Sequence, residues 1–343
     1  MRSIVTTTTS RLFGPAFETR KEAAKCGGDL TAHDRFLAEW SSLNAIERVE
    51  PAQFHSFASP LNVAAWNLER CKHVEASADL LAQMDADVVL ATEMDFGMAR
   101  SFQRHTTRDL AQALNMGWLY GVEFVELGIG DDRERAEFDG VPNQEGLHGN
   151  AILSKFPLLN PALIPLDDGG GWFGNDPNGK GEFRVGGRMA LGAQIETPSG
   201  LLTVVSMHFE SESTPESRAI EADRVCSAIE ELYGNGMCVM GGDLNTRHFT
   251  DGGATSAQIL NEPQRFEPAF SIFEQAGFEW RTSNTGEITT RFHPWHDLTR
   301  PPKVLDWLFV RGLRGSSPSV VPAIDQTGQN LSDHELIGVE IVV

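Results

Sequence analysis

Short apolar runs alternate with segments of helical periodicity over most of the chain, and this alternation most constrains its fold. Runs such as Leu61–Trp66 and Asp87–Ala91 are apolar at nearly every position, which is typical of strands buried on both faces. Between them, Val74–Met84 has the apolar spacing of an amphipathic helix. The order strand, helix, strand predicts a layered α/β fold with sheets inside and helices outside.

The rest of the chain has the same texture, and a hydrophobic content of 41% over 343 residues is enough for a large core. Further strands are predicted at Trp118–Phe124, Gly149–Leu153, Met189–Ile195, Leu201–Met207, Cys238–Met240, Val304–Val310 and Leu336–Val343. Further helices are predicted at Asp34–Ile46, Ser101–Leu114, Pro215–Leu232 and Ala269–Ala276. Three polar insertions, 128–145, 167–187 and 246–302, carry aromatic and charged residues that favour a substrate-binding rim over plain surface decoration.

Charge and composition limit the classes of binding partner and the cellular compartment that we expect. The net charge of −20 disfavours a protein that binds duplex nucleic acid through its phosphates, because such binding needs a basic face. The four cysteines show no C-x-x-C spacing, so neither a zinc nor a dithiol motif is visible. The N-terminus lacks the apolar region of a signal peptide, and no run approaches the roughly 20 apolar residues of a membrane span. We therefore expect a cytoplasmic protein; nothing in the sequence indicates an oligomeric state.

Polar residues follow the predicted strands at the positions where the apolar runs end. They are Asn67, Glu93, His208, Asp243 with Asn245, Asp306, and Asp333 with His334 directly before the final strand. Strand ends on one side of an open α/β structure form its binding crevice, so we expect these side chains to converge. Carboxylates, carboxamides and imidazoles are costly to bury unless they pair or bind a metal, so stability alone does not explain the pattern.

The residue types at these strand ends indicate a metal-assisted hydrolase. Carboxylate and carboxamide oxygens are the ligands of a hard cation such as Mg²⁺ or Mn²⁺, which polarises a phosphoryl oxygen and offsets transition-state charge. No Ser or Cys stands in a nucleophile-elbow context, so water is the expected nucleophile. His334, with Asp306 within reach on a neighbouring strand, predicts an imidazole oriented by a carboxylate.

Taken in order, the segments that carry these residues resemble the motifs of the endonuclease/exonuclease/phosphatase superfamily. The segments are W-N-L-E (66–69), T-E-M (92–94), G-N-A-I-L-S-K-F-P-L (149–158), S-M-H-F-E (206–210), G-G-D-L-N-T (241–246), L-D-W-L-F (305–309) and S-D-H (332–334). The resemblance implies a four-layered α/β sandwich, in which two packed mixed β-sheets are flanked by helices. It also implies divalent-metal-dependent hydrolysis of a phosphoester. Residues 61–343 would form the catalytic domain, and residues 1–60 an N-terminal extension packed on or near the core.

The resemblance implies a metal role for several of these positions. Asn67, Glu93 and Asp333 correspond to metal-site residues of the family. Asp243 and Asn245 correspond to the pair that orients water and the scissile phosphate, and both are also candidate metal ligands. The expected cofactor is Mg²⁺ or Mn²⁺.

The resemblance implies catalytic or binding roles for a second set of positions. Asp306 corresponds to the carboxylate that orients the catalytic His334. His208 lies where relatives carry His or Tyr facing the phosphate, and Asn150 is expected to line the site. Glu69, two residues beyond the first strand-end amide, is either a further metal carboxylate or an exposed turn acid.

The substrate class follows from charge and from the insertions. Trp172 and Trp295 are expected to supply apolar walls and cation–π faces for an organic phosphodiester. His208 resembles the sphingomyelinase and deoxyribonuclease branches more than the abasic-site repair branch, which carries Tyr there. We therefore expect a phosphodiesterase acting on a small molecule or a lipid headgroup. The alternatives are a DNA or RNA nuclease, a phosphomonoesterase and a non-catalytic binding relative. Arg188 and Arg218 either hold a phosphate or, as the simpler interpretation, pair with surface acids.

Overall fold

Two mixed β-sheets lie face to face in the computed structural model of the protein, which describes residues 2–53, 55–174, 182–295, 299 and 301–343. The strands in these segments are β1 (Thr8–Thr9), β2 (Ile46–Val49), β3 (Leu61–Arg70), β4 (Val88–Phe96), β5 (Gly117–Glu126), β6 (Leu147–Ser154), β7 (Leu159–Pro165), β8 (Arg184–Gly186), β9 (Met189–Thr197), β10 (Gly200–His208), β11 (Cys238–Asp243), β12 (Asp306–Arg311), β13 (Arg314–Val321) and β14 (Leu336–Val342). The helices are α1 (Phe17–Lys25), α2 (Leu30–Glu39), α3 (Val74–Gln83), α4 (Thr106–Ala113), α5 (Asp132–Glu137), α6 (Gly171–Gly174), α7 (Pro215–Tyr233), α8 (His248–Asp251), α9 (Ser256–Asn261) and α10 (Ala269–Gln275). Short 3₁₀ turns lie at Ser41–Leu43, Ala99–Ser101 and Pro263–Arg265.

Each sheet contains a parallel strand pair joined by a single helix, and in the first sheet β1 and β2 are also parallel. The first sheet has the order β1-β2-β5-β6-β4-β3-β14-β13, with β8 also paired to β5, and the second has the order β12-β11-β10-β9-β7. In the first sheet β3 and β4 are parallel and α3 connects them; in the second, β10 and β11 are parallel and α7 connects them. Parallel neighbours need such a crossover, which explains why helices cover the outer faces.

Three apolar cores separate four layers. The central core, between the sheets, takes alternate residues of the strands, such as Val63 and Ala65 from β3 and Val204 from β10. The intervening residues, such as Trp66 and Met207, pack against the outer helices. Since both faces of these strands are buried, the runs are continuously apolar, as the sequence indicated. The four-layered α/β sandwich is confirmed.

The N-terminal segment differs from its sequence-based prediction. The helix expected over Asp34–Ile46 is wrong at both ends, since α2 runs from Leu30 to Glu39 and Ile46 begins β2. The Asp29 side chain caps the start of α2 by accepting from the Thr31 and Ala32 amides. Pairing of β2 with β5 overrides the helical spacing at Ile46, because that residue fills the central core as a strand residue.

The sequence did not predict the edge strands β7 and β13, nor the short strands β1, β2 and β8. β7 contains two prolines, and β13 is polar and half-exposed, so neither has the pattern of a buried strand. Both lie at the edge of a sheet, where a missing amide and a solvent-facing side are tolerated. None of the described helices is both long and apolar enough to span a bilayer.

Candidate active site

The polar strand ends meet at one edge of the sandwich, where β3, β4, β10 and β11 finish. The Asn67 amide, on β3, donates from Nδ2 to Glu93 Oε1 on β4 and to Asp243 Oδ2 on β11, each at 3.1 Å. Nearby, Ser206 Oγ donates to the Ala91 carbonyl at 3.0 Å. Side chains from two sheets are thus joined into one buried group.

Backbone bulges aim two of these side chains into the crevice. β4 continues beyond Glu93, whose φ of 57° interrupts the register with β6 between Ala91 and Met94. The register of β3 with β4 also shifts beyond Asn67, where Glu69 and Arg70 have positive φ values. A bulge re-aims a side chain that strict alternation would point elsewhere.

His334 is oriented by two carboxylates on adjacent strands. Its Nδ1 lies 2.8 Å from Asp306 Oδ2, and its Nε2 lies 3.7 Å from Asp243 Oδ2. Asp243 and Asp306 are direct register partners of β11 and β12, which fixes this spacing. Burial alone would lower the pKa of His334, but the two carboxylates raise it well above its ordinary value. Burial in turn raises the pKa of Asp306, against the effect of His334.

The G-D-L-N turn holds Asp243 in place. The Asn245 amide N–H donates to Asp243 Oδ1 at 2.8 Å, and Asn245 itself has a φ of 51°. The Asn245 side chain donates from Nδ2 to the Phe209 carbonyl at 3.0 Å. Both Asp243 oxygens therefore accept hydrogen bonds from buried donors, Asn67 on one and Asn245 on the other.

His208 contacts a buried pair that was not predicted to belong to the site. Arg188 Nη1 donates to Glu123 Oε1 at 3.1 Å and lies 3.0 Å from His208 Nδ1, while Glu123 Oε2 lies 3.3 Å from the same nitrogen. Burial and Arg188 lower the pKa of His208, but Glu123 and Asp243 outweigh them and raise it. The one available signal was Glu123 itself, an acid inside an apolar run.

The simpler interpretation of the two arginines, pairing with surface acids, is wrong. Arg188 is only 4% exposed and pairs with Glu123, which is fully buried. Arg218 is fully buried and donates to both oxygens of buried Glu267, at 3.0 and 2.7 Å. Each acid lies far away in sequence or on another element, so sequence alone did not identify it.

Glu69 and Asp333 form a further acidic pair beside Asn67. Glu69 Oε2 lies 2.6 Å from His293 Nε2, and its amide N–H donates to Asn67 Oδ1 at 3.0 Å. The Glu69 side chain is 14% exposed, which excludes the exposed turn acid. Burial and the carboxylates of Glu69 and Glu93 raise the pKa of Asp333 to about 7.

Trp172 lines a cavity of about 210 Å³ that Glu93, Arg188 and His208 also line. Its Nε1 donates to Glu210 Oε2 at 2.9 Å, and the Arg184 guanidinium lies 4.4 Å from its ring centroid. The Trp172 side chain therefore forms a wall of the crevice. The Glu210 carboxylate fixes its indole N–H, and the Arg184 guanidinium packs on its ring. The 167–187 insertion that carries it is described except for residues 175–181.

Trp295 lies at a neighbouring cavity of about 190 Å³, which Glu69 and His293 also line. The indole is half-exposed, stacks on His293 at a centroid distance of 4.5 Å, and has the Arg133 guanidinium 3.6 Å from its ring centroid. It thereby joins the 246–302 insertion, described except for 296–298 and 300, to the 128–145 insertion.

Asn150 makes its contacts apart from the other predicted site residues. Its Nδ2 donates to the Met189 carbonyl at 3.1 Å, and the residue is fully buried where β6 faces β9. Its Oδ1 has no partner within the described segments.

Residues 64–334 match the sequence profile of the Endonuclease/Exonuclease/phosphatase family. The chain belongs to this family. The resemblance seen in the ordered motifs is confirmed, and the protein has the fold of the family's phosphoesterases. No curated protein matches the chain.

Solved structures of family members share the fold. An endonuclease/exonuclease/phosphatase from Beutenbergia cavernae is similar at a TM-score of 0.56 and 16% identity, over 82% of this chain and 71% of that one. A family protein from Leptotrichia buccalis is similar at a TM-score of 0.53 and 14% identity, over 82% of this chain and 100% of that one. A family member from Bacteroides vulgatus is similar at a TM-score of 0.51 and 17% identity, over 83% of this chain and 100% of that one. At these identities the likeness shows the fold alone.

The donor set of this family member fits a divalent cation. Asp243, Asp306 and His334 bring ligand atoms within 4.8 Å of one another and form a candidate metal site. In that group Nδ1 of His334 already bonds to Asp306 Oδ2, which leaves the carboxylate oxygens as donors for a hard cation. Beside it, burial and the carboxylates of Glu69 and Glu93 raise the pKa of Asp333. Clustered oxygen donors with excess negative charge are the environment that a hard cation requires.

Proposed function

We propose that the protein is a divalent-metal-dependent phosphodiesterase that uses water to cleave a small organic phosphodiester or a lipid headgroup. The observation that supports this best is the buried chain of contacts His334–Asp306 and Asp243–Asn67, which places a proton carrier beside a hydrogen-bonded carboxylate. Asn67, Glu93 and Asp333 are the residues we propose to hold the metal, and Asp243, which belongs to the donor group with Asp306 and His334, is a further candidate ligand. When Mg²⁺ or Mn²⁺ is bound there, it polarises a phosphoryl oxygen and offsets the charge that develops in the transition state.

The protein's own side chains then divide the proton chemistry. Asp243, with both oxygens held by Asn67 and the Asn245 amide, is positioned to orient the attacking water and accept its proton. His334, whose pKa Asp306 and Asp243 raise against the effect of burial, presents Nε2–H towards the phosphate while Asp306 holds Nδ1–H. His208, also protonated more readily than an ordinary histidine, is positioned to contact a second phosphoryl oxygen.

The crevice supports a small substrate over a nucleic acid. Its cavity of about 210 Å³ is lined by Trp172, which gives an apolar wall for an organic group. Four arginines line the same cavity, and each is paired with a carboxylate, so their charge is compensated locally: Arg70 with Glu93, Arg100 with Asp95, Arg184 with Glu126 and Arg188 with Glu123. Together with the net charge of −20, this leaves little positive field to attract a polyanionic backbone.

A hydrolysis screen tests the reaction and the substrate class. The purified full chain is assayed with Mg²⁺, Mn²⁺ or EDTA on bis(p-nitrophenyl) phosphate, p-nitrophenyl phosphate, glycerophosphodiesters, sphingomyelin and plasmid DNA. We expect turnover of a diester with metal and none in EDTA or in Asp243→Asn, with Asp79→Asn, at an exposed position on α3, as the matched control. Full activity in chelator would refute metal dependence, and turnover of the monoester alone would refute the diesterase.

Salt dependence separates the nuclease alternative. Backbone binding releases counterions, so the affinity for DNA should fall with salt at a log–log slope of about −0.9 per phosphate contacted. A small diester presents one charge, so we expect its kcat/KM to change little between low and moderate ionic strength. Efficient DNA cleavage at low salt with a steep slope, and no small diester turned over, would establish the nuclease instead.

A further inference from the structure

A cavity of about 430 Å³ lies outside the proposed catalytic crevice, between helix α1 and the first insertion. Its walls are mainly apolar and come from Phe17, Leu127, Ile129, Val141 and Pro142. Two of these, Phe17 and Val141, are each 44% exposed, so the cavity opens to solvent along an apolar edge. Its volume lies within the range of roughly 300–1,000 Å³ that is usual for small-molecule sites.

A buried arginine lines this cavity without an acidic partner. Arg20 is 3% exposed, and its Nη2 donates to the backbone carbonyls of Asn143 and Gln144, at 2.5 and 3.1 Å. Its Nη1 has no hydrogen-bond partner, and the guanidinium forms no ion pair, within the described part of the chain. Burial lowers the pKa of Arg20, opposed by the more distant Glu145 carboxylate. A buried guanidinium that forms no ion pair is costly, and a bound anion would compensate it.

Lys21 adds a second cation to the lining of the cavity. Its side chain is 53% exposed, and its Nζ lies 5.3 Å from the centroid of the Phe17 ring. The exposed Glu18 carboxylate, at 3.5 Å, is the partner that a ligand would have to replace or share. An exposed pair of this kind contributes little free energy, so the ammonium is available at low cost.

The acid that lines this cavity is already neutralised from the other side. Glu126 also lines the catalytic crevice, where its carboxylate lies 3.4 Å from Arg100 Nη2 and 3.1 Å from Arg184 Nε. Glu126 is therefore the common wall of the two cavities, and its charge is compensated by arginines of the crevice. The cavity beside α1 keeps an excess of positive charge in a chain whose net charge is −20.

We propose that this cavity binds a small amphiphilic anion, whose alkyl or aryl body packs against the apolar wall and whose single carboxylate, sulfonate or phosphate group pairs with Arg20 and Lys21. The site is separate from the catalytic crevice and does not depend on the reaction proposed above. It gives helix α1 and the first insertion a shared role, since each supplies one side of the site.

Calorimetric titration of the full chain with octanoate tests the proposal, with octan-1-ol as the neutral ligand of equal chain length. We expect octanoate to bind at one site per chain and the alcohol about tenfold or more weakly, the loss expected when a charge-assisted hydrogen bond is removed. Val141→Asp should weaken octanoate by about tenfold or more, because it places a carboxylate at the apolar edge. Ile220→Asp, at an exposed position on α7, is the matched control and should bind octanoate as the unaltered protein does.

Lys21→Ala provides a second variant that removes a cation without disturbing a buried hydrogen bond. It should weaken octanoate by a few-fold and leave the alcohol unchanged. Unfolding temperatures of all variants establish that each is folded. Equal affinity for acid and alcohol, no binding of octanoate, or binding that Val141→Asp leaves unchanged would overturn the proposal. Because the readout is binding heat, the result does not depend on whether the protein hydrolyses a phosphodiester.

Discussion

Two groups of buried ionisable side chains adjoin at the crevice, and they differ in how their charge is balanced. The acidic cluster consists of Asn67, Glu93, Asp243, Asp306, Asp333 and His334. The arginine cluster consists of Arg70, Arg100 and Arg188 with Asp95, Glu123, Glu126, Glu134 and Glu210. In the arginine cluster each carboxylate has a guanidinium within 3.6 Å, whereas Asp306 and Asp333 in the acidic cluster have none in the described structure.

The pKa shifts of the two clusters run in opposite directions. Burial acts to raise the pKa of both Asp95 and Glu210. Arg100 nevertheless lowers the pKa of Asp95 to about 2, and Arg188 lowers that of Glu210 to about 2. Burial raises the pKa of Asp306 and, together with neighbouring carboxylates, that of Asp333. The carboxylates of the arginine cluster are therefore neutralised within it, and we infer that it acts as scaffold, whereas Asp306 and Asp333 of the acidic cluster have no guanidinium partner in the described structure. Glu93, whose pKa is lowered well below its ordinary value by Arg70 despite burial, lies where the two clusters join.

The largest effect should come from the proton carrier of the acidic cluster. His334→Ala and Asp306→Asn should each lower kcat by about 10³–10⁴-fold, since each removes or misorients the same imidazole. Combining them should cost far less than the product of the two losses, because residues that act as a unit are not additive. Steady-state kinetics on the best diester measures this. Losses that multiply would show that the two residues work independently.

A substitution in the arginine cluster should lower the free energy of unfolding. Arg100→Met leaves Asp95 buried without its guanidinium, so the free energy of unfolding should fall by about 3–5 kcal/mol. Arg104→Met, which breaks partly exposed pairs with Glu75 and Asp109, is the matched control and should cost about 1 kcal/mol or less. Urea unfolding compares the two. If both variants lose the same stability, the arginine cluster is not the scaffold that its burial suggests.

The next largest difference between substitutions in the two clusters should be in their effect on metal affinity. Glu93→Gln removes a formal charge from the proposed ligand set and should weaken Mn²⁺ binding by about 10–100-fold. Glu126→Gln removes a charge from the arginine cluster, at a carboxylate that lies against Arg100 and Arg184, and should leave Mn²⁺ affinity within a few-fold. Calorimetric titration with Mn²⁺ measures the metal affinity of both variants. An unaltered titration of Glu93→Gln would remove this residue from the site.

The smallest effect should be the pH dependence of metal binding. Asp333, with a pKa of about 7, is protonated below that pH, and a metal must displace the proton. Mn²⁺ affinity should therefore fall by about tenfold as the pH drops from about 8 to about 6, and rise again on return. Asp333→Asn should bind more weakly and lose most of this dependence. A wild-type affinity that is flat over this range would show that Asp333 does not bind the metal.

The sequence by itself predicted the layers and the strand-end position of the candidate site. The continuous apolar runs of β3, β4, β10 and β11 are typical of strands buried on both faces, and parallel pairing of β3 with β4 and of β10 with β11 places the polar residues at their ends at one edge of each sheet. Asn67 and Asp243 could be placed at that edge in this way because period and strand end are local properties, whereas His334 precedes β14 and lies at the same edge because β14 is antiparallel to β3.

Tertiary structure alone decided the partners and the aim of the side chains. Arg188 meets Glu123, and Arg20 lines a cavity with Val141, through contacts between segments far apart in the chain. The bulge that turns Glu93 into the crevice depends on the register of β4 with β6, which no local pattern shows. The physical reason is that periodicity specifies which face of a strand is apolar, whereas charge pairing and cavity shape depend on which strands become neighbours.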